Sequence, residues 1–202
     1  MSTSDTLAYF DVDTQRDFMV ATGALYVPRA RTIAANIRRL VAHAGAKGIR
    51  LFSSADAHAP DDPEFDTFPA HCVVGTPGQE KIRGTLLRDR IAVRVEPKLS
   101  KRGIDAALGH QQIIIEKPTY NVFDNPHTKR LLRASGATRF VVFGVATDYC
   151  VLAAALGLLK LGHAVTIATD AIRGITIHDS AAAFGQMLDA GARFQKTDQL
   201  LA

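Results

Sequence analysis

Phe143-Gly144-Val145-Ala146-Thr147-Asp148-Tyr149-Cys150 joins an apolar run on its amino side to a long apolar helical stretch on its carboxyl side. The pattern reads as a strand running into a tight turn eased by Gly144, with Cys150 at the start of a helix. A thiol there lies at the positive end of the helix dipole, which favours the thiolate and lowers its pKa. Backbone N–H groups of the same turn are free to hold a developing oxyanion. Cys150 could equally be a small core hydrophobe, as most free cysteines are, so the segment alone leaves both readings open.

Working outward, the strand before it, residues 139–143, belongs to a repeating alternation. An apolar run at 7–13 reads as a buried strand ending in acidic residues, and residues 14–18 are too polar and irregular to continue it. Asp13 is placed at the lip of that strand, Asp11 is read as a solvated or capping residue, and Asp17 as a hydrogen-bond partner for loop backbone. Pro28 opens a helical stretch over 30–46 with apolar Ile33, Ile37, Leu40, Val41 and Ala44, closed by Lys47-Gly48. Strands follow at 50–54, 92–95 and 112–116, the last a β-branched run with Lys117 at its exit and Pro118 turning the chain. A short helix is expected at 104–108 and another from Asn125-Pro126 through Arg133, stopped by Gly136. Beyond Cys150 come a helix over 149–161, a strand at 164–168, a turn at 170–174, a helix over 178–190 and a last strand at 193–195. A βαβ rhythm implies right-handed crossovers and parallel pairing. The expected architecture is therefore one domain over residues 1–202, a three-layer α/β/α fold with a mostly parallel sheet.

Composition limits the functions this fold can carry. The chain has 202 residues, of which 47% are hydrophobic, enough for one sizeable core. Its 24 basic residues against 20 acidic ones give a net charge of only +4, and the basic residues are scattered, which argues against a nucleic-acid face. Two cysteines are too few for a disulfide framework, residues 1–6 are short and polar, and the most apolar stretch, 151–161, is too short to span a membrane. A soluble, reduced, cytoplasmic protein is expected.

The least regular segment, residues 55–84, carries Pro60, Pro63, Pro69 and Pro77. A loop of that length inside a compact domain is functional or disordered. Asp56, His58, Glu64 and His71 are of the kinds that ligate a divalent transition metal, and Asp56 and His58 at i and i+2 can point to one side of an extended chain. Such groups near prolines are also often only solvated. Lys117 at a strand exit is usually surface decoration, but in a parallel sheet it shares an edge with Asp13 and Cys150.

Three stretches, Asp13-Thr14-Gln15-Arg16-Asp17-Phe18, Lys117, and Gly144 through Cys150, resemble the three active-site motifs of the isochorismatase-like cysteine hydrolases. With Asp56-Ala57-His58 and His71-Cys72-Val73-Val74-Gly75-Thr76-Pro77-Gly78 they resemble the nicotinamidases of that superfamily. The resemblance implies a triad of Asp13, Lys117 and Cys150, an oxyanion hole from the N–H groups of Ala146 and Cys150, and a cis peptide at Val145-Ala146. It also implies one divalent metal ion, zinc, manganese or iron, on Asp56, His58 and His71, with Glu64 standing where many relatives have a histidine. Phe18 and Phe68 would sandwich a flat pyridine ring. The implied activity is hydrolysis of nicotinamide to nicotinate and ammonia, a step of pyridine nucleotide salvage. The expected partner is a small amide, with no nucleic acid and no membrane, in a homo-oligomer.

The chain departs from nicotinamidases at Ala57, where a tryptophan is usual, and at Phe68, which replaces another; it has no tryptophan at all. These changes touch the pocket wall and leave the triad alone. The main alternative is a related cysteine amidohydrolase acting on another small amide or carbamoyl compound, against which the four ligand-type residues weigh. Vinyl ether hydrolysis of the isochorismate kind does not use a nucleophilic cysteine, and a silent scaffold would not need the triad intact.

Overall fold

A computed structural model describes residues 6–202; residues 1–5, read above as part of a short polar lead-in, lie outside the described residues. Seven strands form one wholly parallel sheet: β1 Leu7–Val12, β2 Arg50–Asp56, β3 Arg90–Val93, β4 Gln112–Lys117, β5 Arg139–Val145, β6 Ala164–Arg173 and β7 Arg193–Gln195. Their order is β3-β4-β2-β1-β5-β6-β7. The helices are α1 Arg16–Met19, α2 Ala34–Lys47, α3 Lys101–Ala107, α4 Thr128–Ser135, α5 Leu152–Lys160, α6 Ile177–Asp189 and α7 Thr197–Leu201.

Side chains alternate across the sheet, so β1 feeds two cores. Tyr9 packs with Leu51, Val141 and Phe143 under the apolar face of α2, formed by Ile37, Leu40, Val41 and Ala44. Ala8, Phe10 and Val12 pack with Phe52, Phe140 and Val142 under α4 and α5, through Leu131, Leu132, Ala154, Ala155 and Leu158. These are the three layers expected from the alternation of elements. Among the described residues no helix is long and apolar enough to cross a membrane.

The topology fixes where a ligand can bind. The chain leaves β1 toward β2 on one side and returns to β5 on the other, and in open parallel sheets ligands collect at the carboxyl edge beside such a reversal. Asp13 directly follows β1, Asp56 pairs with Lys117 at the ends of β2 and β4, and Val12 pairs with Gly144. Gly144 has φ +125°, and a Cβ there would run into the backbone of Val12. Only glycine lets β5 stay this close to β1.

The turn expected at 170–174 is instead strand as far as Arg173. Val142 pairs with Ile167, but Gly144 pairs with Ile172, so β6 bulges outward between the two registers and then rejoins β5. Asp170, the residue that suggested a turn, sits in the bulge and accepts hydrogen bonds from the N–H and hydroxyl of Thr197. A bulge leaves its residues unpaired and admits polar ones, so the local composition is that of a turn. The helix expected over 30–46 begins as a short 3-10 segment, Ala30–Ile33, and α1 and α7 are too short for helical periodicity to reveal them.

Asp11 also differs from expectation. It is not solvated: its side chain is fully buried, 3.1 Å from Lys81 Nζ, and accepts from Thr14 Oγ1 and Ser53 Oγ. Lys81 also donates to the carbonyl of Ser54. Asp17 does hold loop backbone, accepting from the N–H groups of Ala24 and Cys72.

Candidate active site

At the carboxyl edge of the sheet, Lys117 is completely buried and its ammonium touches two carboxylates. Nζ lies 3.0 Å from Asp13 Oδ2, in close contact with Asp56 Oδ1, 3.0 Å from the Thr119 carbonyl and 3.9 Å from Cys150 Sγ. Asp13 occupies the left-handed region at φ 44° and is fixed further by Ser54 Oγ, which donates to its Oδ1 at 2.7 Å. A non-glycine residue held in that region costs of order 1–3 kcal/mol and typically marks a functional position.

The electrostatics follow from burial. Removal from water raises the Asp13 pKa, against the pull of Lys117 and of hydrogen bonds from Ser54 and Cys150. Burial disfavours the Lys117 cation, but Asp13, Asp56 and Cys150 outweigh it and hold its pKa well above the ordinary value. For Asp56 burial again opposes ionisation, and Lys117, His58 and His71 overcome it, so its pKa falls below the usual carboxylate range. Burial pushes the Cys150 thiol well above its ordinary value, with Lys117 acting in the opposite sense. That direction reverses the expectation of a thiolate set by the helix dipole. The segment is a π-helical turn, Thr147–Val151, in front of α5, and burial together with the Asp13 and Asp56 carboxylates works against the thiolate. Cys150 rests as a thiol with an acceptor, Asp13, beside it.

The second group of polar side chains adjoins the first through Asp56. Ligand atoms of Asp56, His58 and His71 lie within 4.8 Å of one another. Asp56 Oδ2 is 3.8 Å from His58 Nε2 and 3.7 Å from His71 Nε2. His71 Nδ1 contacts the Pro69 carbonyl at 2.8 Å and His58 Nδ1 contacts Asp62 Oδ2 at 3.0 Å, so both rings carry Nδ1–H and turn Nε2 toward Asp56. His58 Nε2 is buried with no hydrogen-bond partner among the described residues. An orphaned imidazole nitrogen beside a second imidazole and a carboxylate is the donor set of a divalent transition metal, and these residues fit one. Glu64 lines the same pocket and stands outside this cluster, but its carboxylate falls with ligand atoms of His58 and Asp62 in a further group within 4.8 Å of one another.

Pairing of His58 with Val73 brings the strand end and the His71 segment together. The His58 N–H donates to the Cys72 carbonyl and the Val74 N–H to the His58 carbonyl. Gln15, which the sequence reading passed over, clamps Asp56 from the other side: its amide donates to the Asp56 carbonyl at 2.8 Å and accepts from the Asp56 N–H at 2.7 Å. Ser54, Asp62 and Lys81 were missed in the same way, because polar residues at strand ends and in loops carry no sign of burial in the sequence. Gln15, two positions past the strand-end Asp13, was the one such residue close enough to a motif to draw attention.

Phe18, Phe68, Asp56, Glu64, His71, Ala146 and Cys150 line one pocket. Leu25, Val27, Tyr120, Tyr149 and Ile175, none of them singled out above, complete its walls. Phe18 is buried as well and packs against His71 at 5.4 Å between ring centres, so it is both core and wall. Phe68 meets Tyr149 edge to face at 6.1 Å. The Val145–Ala146 peptide is cis, as the resemblance implies.

A parallel α/β sheet with a buried thiol, ammonium and carboxylate at its carboxyl edge points to a class, the isochorismatase-like three-layer α/β hydrolases. The chain belongs within it to the isochorismatase family, whose domain model matches residues 8–199. It is 32% identical over 195 residues to a nicotinamidase of Escherichia coli, covering 90% of each chain. It is 28% identical to a nicotinamidase/pyrazinamidase of Mycobacterium tuberculosis, covering 89% of this chain and 92% of the relative. Among solved structures it resembles the pyrazinamidase of Pyrococcus horikoshii in complex with zinc, with TM-score 0.76, 30% identity, and 94% of this chain and 98% of the other covered.

Proposed function

We propose that the chain hydrolyses nicotinamide to nicotinate and ammonia through a thioester on Cys150. The observation that carries this reading is one ammonium, Lys117, in contact with both Asp13 and Asp56 and 3.9 Å from the thiol of Cys150, which lines a pocket walled by aromatic rings.

Asp13 takes the thiol proton as Sγ attacks the amide carbon. Burial has raised its pKa toward the range of an efficient proton carrier. The Lys117 cation remains charged throughout and offsets the anion that forms on sulfur and then on oxygen. N–H groups of Ala146 and Cys150 receive the oxyanion. The intermediate collapses as Asp13 returns the proton to the amide nitrogen, and ammonia leaves. A water then attacks the thioester carbon while Asp13 accepts its proton. Collapse expels the sulfur, which recovers the proton from Asp13 and restores the thiol.

Phe18 and Phe68 hold the ring between them, and Leu25, Val27 and Tyr120 complete the lining. Asp56, His58 and His71, with Glu64 beside them, would hold one divalent cation, zinc, manganese or iron, which when bound supplies a Lewis acid for the pyridine nitrogen. The activity belongs to cytoplasmic recycling of pyridine nucleotides, with the chain working as a single domain in a homo-oligomer.

The test is ammonia release from nicotinamide by the purified protein loaded with zinc. Cys150→Ala is expected to lower kcat by about 10⁴-fold or more. An intact rate in that variant would remove the thioester, and no ammonia from the unaltered zinc-loaded protein would remove the substrate.

A further inference from the structure

We propose that Asp62 is a positioning residue that sets the affinity of the metal group, holding His58 in one tautomer and presenting Glu64 with the same carboxylate. The inference rests on the reading of Asp56, His58 and His71 as metal ligands.

Asp62 Oδ2 lies 3.0 Å from His58 Nδ1, while Oδ1 accepts from the N–H of Glu64 at 2.9 Å. The second contact makes Asp62 the N-cap of the single 3-10 turn Pro63–Asp66, with Pro63 at its first position. That turn places Glu64 on the pocket wall. It also sets Phe65 edge-on against His58 at 5.5 Å and against His71 at 5.8 Å, shielding both rings. The Asp62 side chain is only 16% exposed, so water competes weakly for it.

The two imidazoles differ in how they are held. His71 leans on a main-chain carbonyl, which no substitution of a single side chain removes. His58 leans on Asp62 alone. An imidazole freed at Nδ1 populates the other tautomer, whose Nε2–H cannot ligate, and rotates away from the ligating pose. The carboxylate also raises the basicity of Nε2. Removal of such a partner typically weakens metal binding by about 10- to 100-fold.

Zinc affinity measured by competition with a chromophoric chelator tests this on the full chain. Asp62→Ala should weaken binding by about 10- to 100-fold, and Asp62→Asn, whose amide oxygen can still accept from Nδ1–H or cap the turn, should recover part of the loss. Nitrogen-15 spectra of the zinc-free protein should show neutral His58 as the Nδ1–H tautomer, and Asp62→Ala should shift it toward the Nε2–H form. Should the alanine variant not fold by circular dichroism, Asp62→Asn carries the test, with affinity expected to fall by more than about twofold and less than about tenfold. Unchanged affinity in a folded variant, within about twofold, overturns the proposal while the ligand assignment stands. Absence of zinc binding by the unaltered protein overturns the ligand assignment, and this proposal with it.

Discussion

Lys117 serves two carboxylates at once, and its burial makes that arrangement consequential. With Asp13 and Asp56 both ionised the trio carries a net negative charge in a buried place, and among the described residues Lys117 is the only lysine or arginine in contact with either acid. Lys117→Met keeps the volume and removes the charge, leaving two buried acids to repel each other. Breaking a buried ionic group from one side costs about 3–5 kcal/mol, which a urea titration would read as a lower midpoint. The penalty depends on pH in a definite sense. Burial already raises the Asp13 pKa above its unfolded value, and losing Lys117 raises it further. A carboxyl raised in the folded state stabilises below its unfolded pKa, and that contribution is lost as pH rises through the folded one. The variant should therefore approach the parent in stability in acid and fall furthest behind it near neutrality.

At the scale of elements, the site depends on how closely β5 approaches β1, and the bulge in β6 lets that strand pair with β5 again at the same level. Gly144 is where both meet: it pairs with Val12 on one side and, after the shift of register, with Ile172 on the other. Gly144→Ala would drive a Cβ into the Val12 backbone from a conformation that L residues avoid. A loss of about 3 kcal/mol or more is expected in thermal or urea unfolding, with activity falling because Asp13 follows Val12 directly. The same elements show what a sequence can reveal. β1, β4 and β5 were legible because buried parallel strands are nearly continuous apolar runs, whereas Asp13, Lys117 and Cys150, each ambiguous by itself, became legible together through the resemblance of their motifs. The β6 bulge was not, since a polar residue inside a strand looks like a turn. Asp11 was misread for a related reason: its neutralising partner Lys81 lies in an irregular loop far along the chain, and no periodicity connects the two. Gln15, Ser54 and Asp62 act through hydrogen bonds whose partners are set only by folding.

For the molecule as a whole, the metal group joins two parts that are otherwise held differently. Asp56 ends a central strand, whereas His71 lies in the long irregular segment between β2 and β3, tied to the sheet by the His58–Val73 pairing and the Asp17–Cys72 contact. A cation bound to the folded state alone stabilises it by RT ln(1 + [L]/Kd), about 2.7 kcal/mol at one hundred times Kd. For a chain of this size each kcal/mol moves the melting midpoint by about 2–4 °C, so zinc at that level should raise it by about 5–10 °C. A chelator should reverse the shift and speed amide hydrogen exchange in the segment around His71 more than in β1 or β5, because the segment loses its cross-link and the central strands lose nothing. His71→Ala should remove the zinc shift, and Cys150→Ala should keep it, since the thiol is not among the clustered ligand atoms. An equal zinc shift in His71→Ala would place the metal elsewhere on the molecule, and loss of the shift in Cys150→Ala would make the thiol a ligand and leave the proposed nucleophile occupied.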